Sequence, residues 1–191
     1  MVCIFEGLPG AGKTTILNSM AKYFEPQNII ILPEYLPGIT GDRSGISFYV
    51  NNEEKKSKQM EKAKGKYCFC DRYWQSSAVY CSASSNAICV EELMSIYRIL
   101  HKKELFSSYV YVYLRVTVEE SLRRAQKPDV GNMWSTPSFC RRALELYDML
   151  FSFMDEINPN LQGKLLVDME ATNGEDAGLY IADYLKSFAH G

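Results

Sequence analysis

The sequence predicts an α/β fold: a five-stranded parallel sheet with helices on both faces, in three layers, with a lid segment at about 126–136. Three observations predict it. Five short apolar runs, at residues 2–5, 28–32, 67–70, 109–115 and 165–168, have the length and composition of buried strands. Stretches with apolar residues at helical spacing alternate with them, at 13–24, 52–64, 74–82, 90–105, 118–126, 137–157 and 174–190. The first run passes through a glycine-rich turn directly into a helix. No internal repeat or low-complexity stretch interrupts the alternation, and residues 1–191 are expected to form one domain.

The turn after the first strand reads Gly7-Leu8-Pro9-Gly10-Ala11-Gly12-Lys13-Thr14, which satisfies G-x-x-x-x-G-K-[ST] at every fixed position. Val2-Cys3-Ile4-Phe5 precedes it, and Ile16, Leu17, Met20, Ala21 and Phe24 follow at helical spacing. A strand, a glycine loop and a helix N-terminus in this order form an anion cradle, because successive backbone N–H groups converge on one point. Gly7, Gly10, Ala11, Gly12, Lys13, Thr14 and Thr15 are therefore expected to bind a nucleoside triphosphate. Lys13 would place an ammonium on the β- and γ-phosphates, and the Thr14 hydroxyl is the expected magnesium ligand.

In an open parallel sheet, ligands bind beyond the carboxyl ends of the strands. After the second strand comes Pro33-Glu34-Tyr35, where Glu34 is placed to take a proton from an attacking hydroxyl. After the third comes Asp71-Arg72-Tyr73: Asp71 is placed to hold magnesium, directly or through water, and Arg72 to clamp phosphate or orient the acceptor. The fourth strand leads into a helix carrying Arg123 and Arg124, then Lys127 and the turn-rich segment 128–132, with Arg141 and Arg142 beyond. Cations around one flexible segment suit a cover that closes over a triphosphate, and Arg124 and Arg142 are expected to neutralise charge there. Phe48, Tyr49, Tyr73, Trp74 and Tyr80 are candidates to sandwich a flat base, and Arg43 to hold a 5′-phosphate. Trp134 is placed to cover the base of the donor or to anchor the lid, while His101 and His190 receive no role.

Composition narrows the class. A formal net charge of −2 gives no support to nucleic-acid binding, and no apolar run reaches the ~20 residues of a membrane span. The first strand begins at residue 2, which predicts no signal peptide. The six cysteines show no C-x-x-C pairing, as expected of reduced thiols in a cytoplasmic protein.

The residues resemble one group of enzymes. Phe5-Glu6-Gly7 through Thr14-Thr15 is similar to the E-G-x-x-G-x-G-K-[ST]-T opening of thymidylate kinases and deoxynucleoside kinases. Asp71-Arg72-Tyr73 with Ser76 and Tyr80 is similar to the D-R-Y-x-x-S-x-x-x-Y signature of the former, and Glu34 resembles the general base of the latter. Tyr113-Leu114-Arg115 with Glu119, Leu122 and Arg124 is similar to a Y-L-R-x-x-P-E-x-x-L-x-R segment, and Tyr147 falls near a tyrosine that both branches carry. The chain departs from both. Pro33 stands where thymidylate kinases usually have arginine, Pro9 where many have an acid, and Val118 where proline is usual. Deoxynucleoside kinases usually carry Glu-Arg-Ser where this chain has Asp-Arg-Tyr, and their lid is rich in arginine, whereas residues 127–134 contain none. The resemblance implies a P-loop kinase fold and magnesium-dependent transfer of the ATP γ-phosphoryl group to a nucleoside or nucleoside monophosphate. The catalytic set would be Lys13, Glu34, Asp71, Arg72, Arg124 and Arg142, and a homodimer is implied in the same way. A P-loop kinase of non-nucleotide small molecules and a nucleotide-binding regulator with little turnover are the alternatives.

Overall fold

A computed structural model of the chain describes residues 1–40, 46–84, 105–125 and 136–188. The expected helix at 90–105, nearly all of the lid, Arg43, Lys127, Trp134, His101, His190 and Cys89 lie outside the described residues.

Five strands form one parallel sheet: β1 (Val2–Glu6), β2 (Ile29–Leu32), β3 (Tyr67–Asp71), β4 (Val110–Arg115) and β5 (Gly163–Asp168), in the order β2-β3-β1-β4-β5. Every residue of β1 is buried, as is every residue of β4 except Arg115. Successive side chains in a strand point to opposite faces, so a strand buried throughout is covered on both. The described helices are α1 (Lys13–Met20), α2 (Ile46–Lys62), α3 (Trp74–Ser84), α4 (Val118–Ala125), α5 (Pro137–Ile157) and α6 (Gly174–Ser187). α1 packs with α6, whereas α3 packs with α2 and α5, and α4 packs with α5. Among the described residues, no helix is long and apolar enough to cross a membrane.

The boundaries differ from the sequence reading where packing overrides local pattern. α2 begins at Ile46 rather than 52, because Phe48 and Val50 have a core to enter. α1 ends at Met20 and tightens into a 3-10 turn over Ala21–Tyr23. β3 extends by one residue to take in Asp71, which pairs in register with Phe5. The cysteines Cys3, Cys68, Cys70, Cys81 and Cys140 are free thiols, and burial raises the pKa of Cys3 and Cys70 strongly.

The register sets the site. Phe5 lies level with Asp71 and Leu32 with Cys70, so the segments leaving β1, β2 and β3 emerge side by side. Gly7 starts the first of them at φ 144° with no room for a side chain: a Cβ there would stand 2.4 Å from the Leu114 carbonyl of β4. Gly7→Ala should therefore destabilise the protein by about 3 kcal/mol. Gly38 has φ 76°, but a Cβ there would meet nothing within 4 Å among the described residues, so Gly38→Ala should cost only about 1 kcal/mol. Urea midpoints at unchanged slope check the difference.

Candidate active site

One cleft of about 760 Å³ lies over the ends of β1, β2 and β3. Its floor is the glycine loop. Gly12 holds a left-handed conformation (φ 90°, ψ 12°) at the start of α1 and, as the N-cap, has no side chain with which to cap that helix. The Lys13 ammonium folds back to donate to the carbonyls of Gly7 (3.0 Å) and Leu8 (2.9 Å). Burial lowers the Lys13 pKa to about 7, helped by the positive charge of Arg72 and opposed by Asp71, Glu34 and Glu6. Of the expected phosphate-binding set, Gly10, Gly12, Lys13, Thr14 and Thr15 line the cleft, whereas Gly7 and Ala11 sit behind its wall.

Thr14 and Asp71 meet across the sheet. The Thr14 hydroxyl donates to Asp71 Oδ2 at 3.4 Å, while the buried Oδ1 has no hydrogen-bond partner among the described residues. A carboxylate oxygen in that state, beside a hydroxyl that faces the cleft, fits a hard divalent cation that binds through oxygen. No group of three or more metal-ligating side chains exists among the described residues, so the protein would supply few of the ligands.

Arg72 occupies the centre. Its backbone is left-handed (φ 61°), the only such residue other than glycine among the described residues. Two partners hold the turn: the Arg72 N–H donates to Phe5 O at 3.0 Å, and buried Lys56 of α2 donates to the carbonyls of Asp71 (2.8 Å) and Arg72 (2.7 Å). The guanidinium is buried. Nη1 donates to Gly7 O (2.9 Å), Ser76 Oγ (2.9 Å) and Tyr147 Oη (3.1 Å), and the group lies 5.0 Å above the Tyr80 ring. Nε stands 3.2 Å from Glu34 Oε1, an ion pair by distance, although the N–H is not aligned for a hydrogen bond.

Glu34 faces the cleft beside it. Burial would raise its pKa, but Arg72, then Lys13 and a hydrogen bond with Tyr35, outweigh that and lower it, so the carboxylate stays ionised. Asn52 of α2 fixes the loop: Nδ2 donates to Glu34 O and Oδ1 accepts from Leu36 N–H, both at 3.0 Å. Beneath, Glu6 is wholly buried at the end of β1. Its carboxylate accepts from the N–H groups of Tyr73 (2.7 Å) and Ser76 (3.3 Å), from the Ser76 hydroxyl and from Tyr147 (3.2 Å), and burial raises its pKa despite Arg72. Glu6 thereby caps α3 from another strand.

The structure brings Lys13, Thr14, Glu34, Asp71, Arg72 and Arg124 to one cleft. Arg124 bonds to Glu120 Oε1 (2.5 Å) and Met169 O (3.2 Å) beside Gly10. Arg142 is half-buried on α5 and does not line this cleft. Of the aromatic candidates, Tyr49 and Tyr80 line it, while Phe48 and Trp74 are core residues; the Trp74 indole donates to the Tyr109 hydroxyl at 3.0 Å. Sequence reasoning missed Tyr35 on the cleft wall and the buried polar face of α2. Asn52, Glu53, Lys56 and Ser57 share one helix face by their spacing, but nothing in the local sequence marks that face as the buried one.

A probable thymidylate kinase from Methanocaldococcus jannaschii is 25% identical over 202 residues, which cover 100% of this chain and 98% of the relative. A probable thymidylate kinase from Methanococcus aeolicus is 28% identical over 155 residues, 75% of this chain and 76% of the relative. The solved deoxyadenosine kinase from M. mycoides, with dCMP and a flexible dCDP bound, superposes with a TM-score of 0.70 at 17% identity, over 98% of this chain and 100% of that one. The same enzyme with bound dATP gives 0.69 at 16% identity, over 97% and 100%. No family model matches. The resemblance to the thymidylate kinase and deoxynucleoside kinase group holds in both sequence and fold. The five-stranded parallel P-loop kinase fold read from the sequence is the fold observed.

The Lys13 shift has a consequence for stability. Its folded pKa of about 7 lies below the 10.5 of an ordinary lysine, so between these values the unfolded chain binds more protons. Stability of the ligand-free protein from this group therefore rises as pH rises through that window. The wild-type urea midpoint should gain on that of Lys13→Met between pH 7 and 9, and an unchanged difference would refute the buried, easily deprotonated ammonium.

Proposed function

We propose that the protein is a kinase that transfers the γ-phosphoryl group of ATP to a nucleoside or nucleoside monophosphate. The observation that carries the reading is a single cleft with two chemistries. Lys13, Thr14 and the unpartnered Asp71 oxygen lie where a triphosphate would sit, and Glu34 with Arg72 lies beside them on the wall shared with Tyr35, Tyr49 and Tyr80. The names of the curated relatives and of the structural neighbours support a nucleoside or nucleotide acceptor over a non-nucleotide one.

The roles follow from the contacts. The N-terminal turn of α1, whose N-cap Gly12 has no side chain, would receive phosphate oxygens. Lys13 would exchange its two loop carbonyls for those oxygens and regain its charge. Thr14 and Asp71 would hold magnesium, which when bound offsets charge on the phosphates. For a nucleoside, the acceptor hydroxyl oxygen forms a bond to the γ-phosphorus, the bond from that phosphorus to the β,γ-bridging oxygen breaks, and ADP leaves. The hydroxyl proton passes to Glu34. For a monophosphate the attacking oxygen is already anionic, and Glu34 then acts by orienting Arg72. Arg124, beside the glycine loop, would meet charge on the transferring group.

A coupled ADP-release assay across natural nucleosides and their monophosphates tests the reading. An acceptor-dependent signal supports it, and nucleotide binding without any transfer refutes it. With a nucleoside acceptor, Glu34→Gln should lower kcat by about 100-fold or more and leave ATP affinity within about threefold. Equal losses in both would remove Glu34 as the proton acceptor.

A further inference from the structure

The acceptor half of the cleft ends in a smaller space. A cavity of about 20 Å³ shares Glu34, Tyr35, Tyr49, Arg72 and Tyr80 with the main cleft, so it is the inward continuation of the same void. Residues that line only this inner part include Glu53 of α2 and Ser77 and Cys81 of α3. It has room for about one water molecule.

Glu53 is the unusual member. It is only 3% exposed. Its Oε1 accepts from Asn52 Nδ2 and from the Ser77 hydroxyl, each at 3.4 Å. Its Oε2 is buried and has no hydrogen-bond partner among the described residues. An unpaired buried carboxylate oxygen is costly, and apolar replacements of similar volume avoid that cost. The oxygen is a pure acceptor when the group is ionised, so the partner that completes it is an N–H or O–H donor. Phosphate groups are excluded at this end, because they would set anion against anion. The wall that leads to it is aromatic: the Tyr35 and Tyr49 rings lie 6.4 Å apart, and Tyr80 stands on α3 beside the Arg72 guanidinium. Aromatic walls with one buried acceptor at the end describe a slot for a flat, polar ring entering edge first.

We propose that Glu53 is a specificity-determining residue whose Oε2 accepts a hydrogen bond from a ring N–H or amino group of the acceptor's base. The inference rests on the reading of the acceptor as a nucleoside or nucleotide. It adds that the enzyme selects bases presenting an N–H edge to the inner cavity. A base whose edge donors are replaced by methyl groups leaves the carboxylate buried and unpaired, and sites of this kind reject such analogues strongly. Burial, opposed by Lys56, raises the Glu53 pKa to about 7, and a bound N–H donor favours the ionised form.

Calorimetric binding tests this without relying on turnover. Thymidine, deoxycytidine and deoxyadenosine, as nucleosides and as 5′-monophosphates, are each compared with the counterpart N-methylated at the ring edge. All titrations contain magnesium and a non-hydrolysable ATP analogue. In the wild type, at least one natural compound should bind about tenfold or more tighter than its methylated partner. That ratio should fall to within about twofold in Glu53→Ala. Equal binding of every pair by the wild type, no binding of any pair, or discrimination that survives in folded Glu53→Ala would overturn the assignment. If Glu53→Ala does not fold, Glu53→Leu, which keeps most of the volume but offers no acceptor, replaces it, and an undiminished ratio there also overturns it. Discriminating binding with no ADP release would sink the kinase reading and leave Glu53 in place. Equal phosphorylation of both members of every pair would do the reverse.

Discussion

The site depends on one buried guanidinium. Arg72 links four segments that the chain order keeps apart: the glycine loop through Gly7 O, α3 through Ser76, α5 through Tyr147, and the loop after β2 through Glu34. Burying a charge costs several kcal/mol unless it is paired and hydrogen-bonded. Here the cost is met by three oxygen acceptors on one nitrogen, one carboxylate and one aromatic face. Removal of any partner leaves charge unmatched, so the spacing between phosphate loop and Glu34 is narrowly set. The backbone bears part of this demand. The left-handed turn at Arg72 is supported by Lys56, which donates to the two adjacent carbonyls of Asp71 and Arg72.

The electrostatics describe a site arranged around an anion. Lys13 and Arg72 are both buried, and the charge of Arg72 disfavours that of Lys13. Glu6, Glu34 and Asp71 compensate only in part, since Lys13 still falls to about 7 and the Glu6 carboxyl is itself raised by burial. A triphosphate bound as proposed would offset the repulsion that Arg72 exerts on Lys13 and so favour the charged ammonium.

Much of this was legible in the sequence. The glycine loop announces itself because only glycine tolerates the contact with Leu114 at Gly7, and a fixed spacing is needed before lysine and threonine can face one point. The strands read correctly to within a residue or two, since parallel strands covered on both faces leave unbroken apolar runs. Glu34, Asp71 and Arg72 followed from their position after strands. The polar face of α2 did not follow. Its Asn52, Glu53 and Lys56 stand in a charged run whose exposed members, Glu61 and Lys62 among them, make the whole helix look solvated. Whether a charged side chain is buried depends on which carbonyls the fold leaves unpaired nearby, and a turn at residues 71–72 is invisible to the local pattern around 56. Arg142 shows the converse: proximity in sequence to the expected lid suggested a place at the cleft that its half-buried position on α5 does not give it.

These facts make α2 the element that couples chemistry to recognition. Within a little over one helical turn, Asn52 holds the Glu34 loop, Glu53 faces the inner cavity and Lys56 holds the Asp71–Arg72 turn. Rotation of the helix by a few degrees to accommodate a larger ring would shift all three together. Substitutions in the inner cavity are therefore expected to be non-additive with changes at Glu34 and Arg72, since residues sharing one network couple by about 0.5–3 kcal/mol. On the proposed reading, a change of acceptor in this scaffold requires compensation along α2, because the helix that would meet the base also holds the Glu34 loop and the Asp71–Arg72 turn.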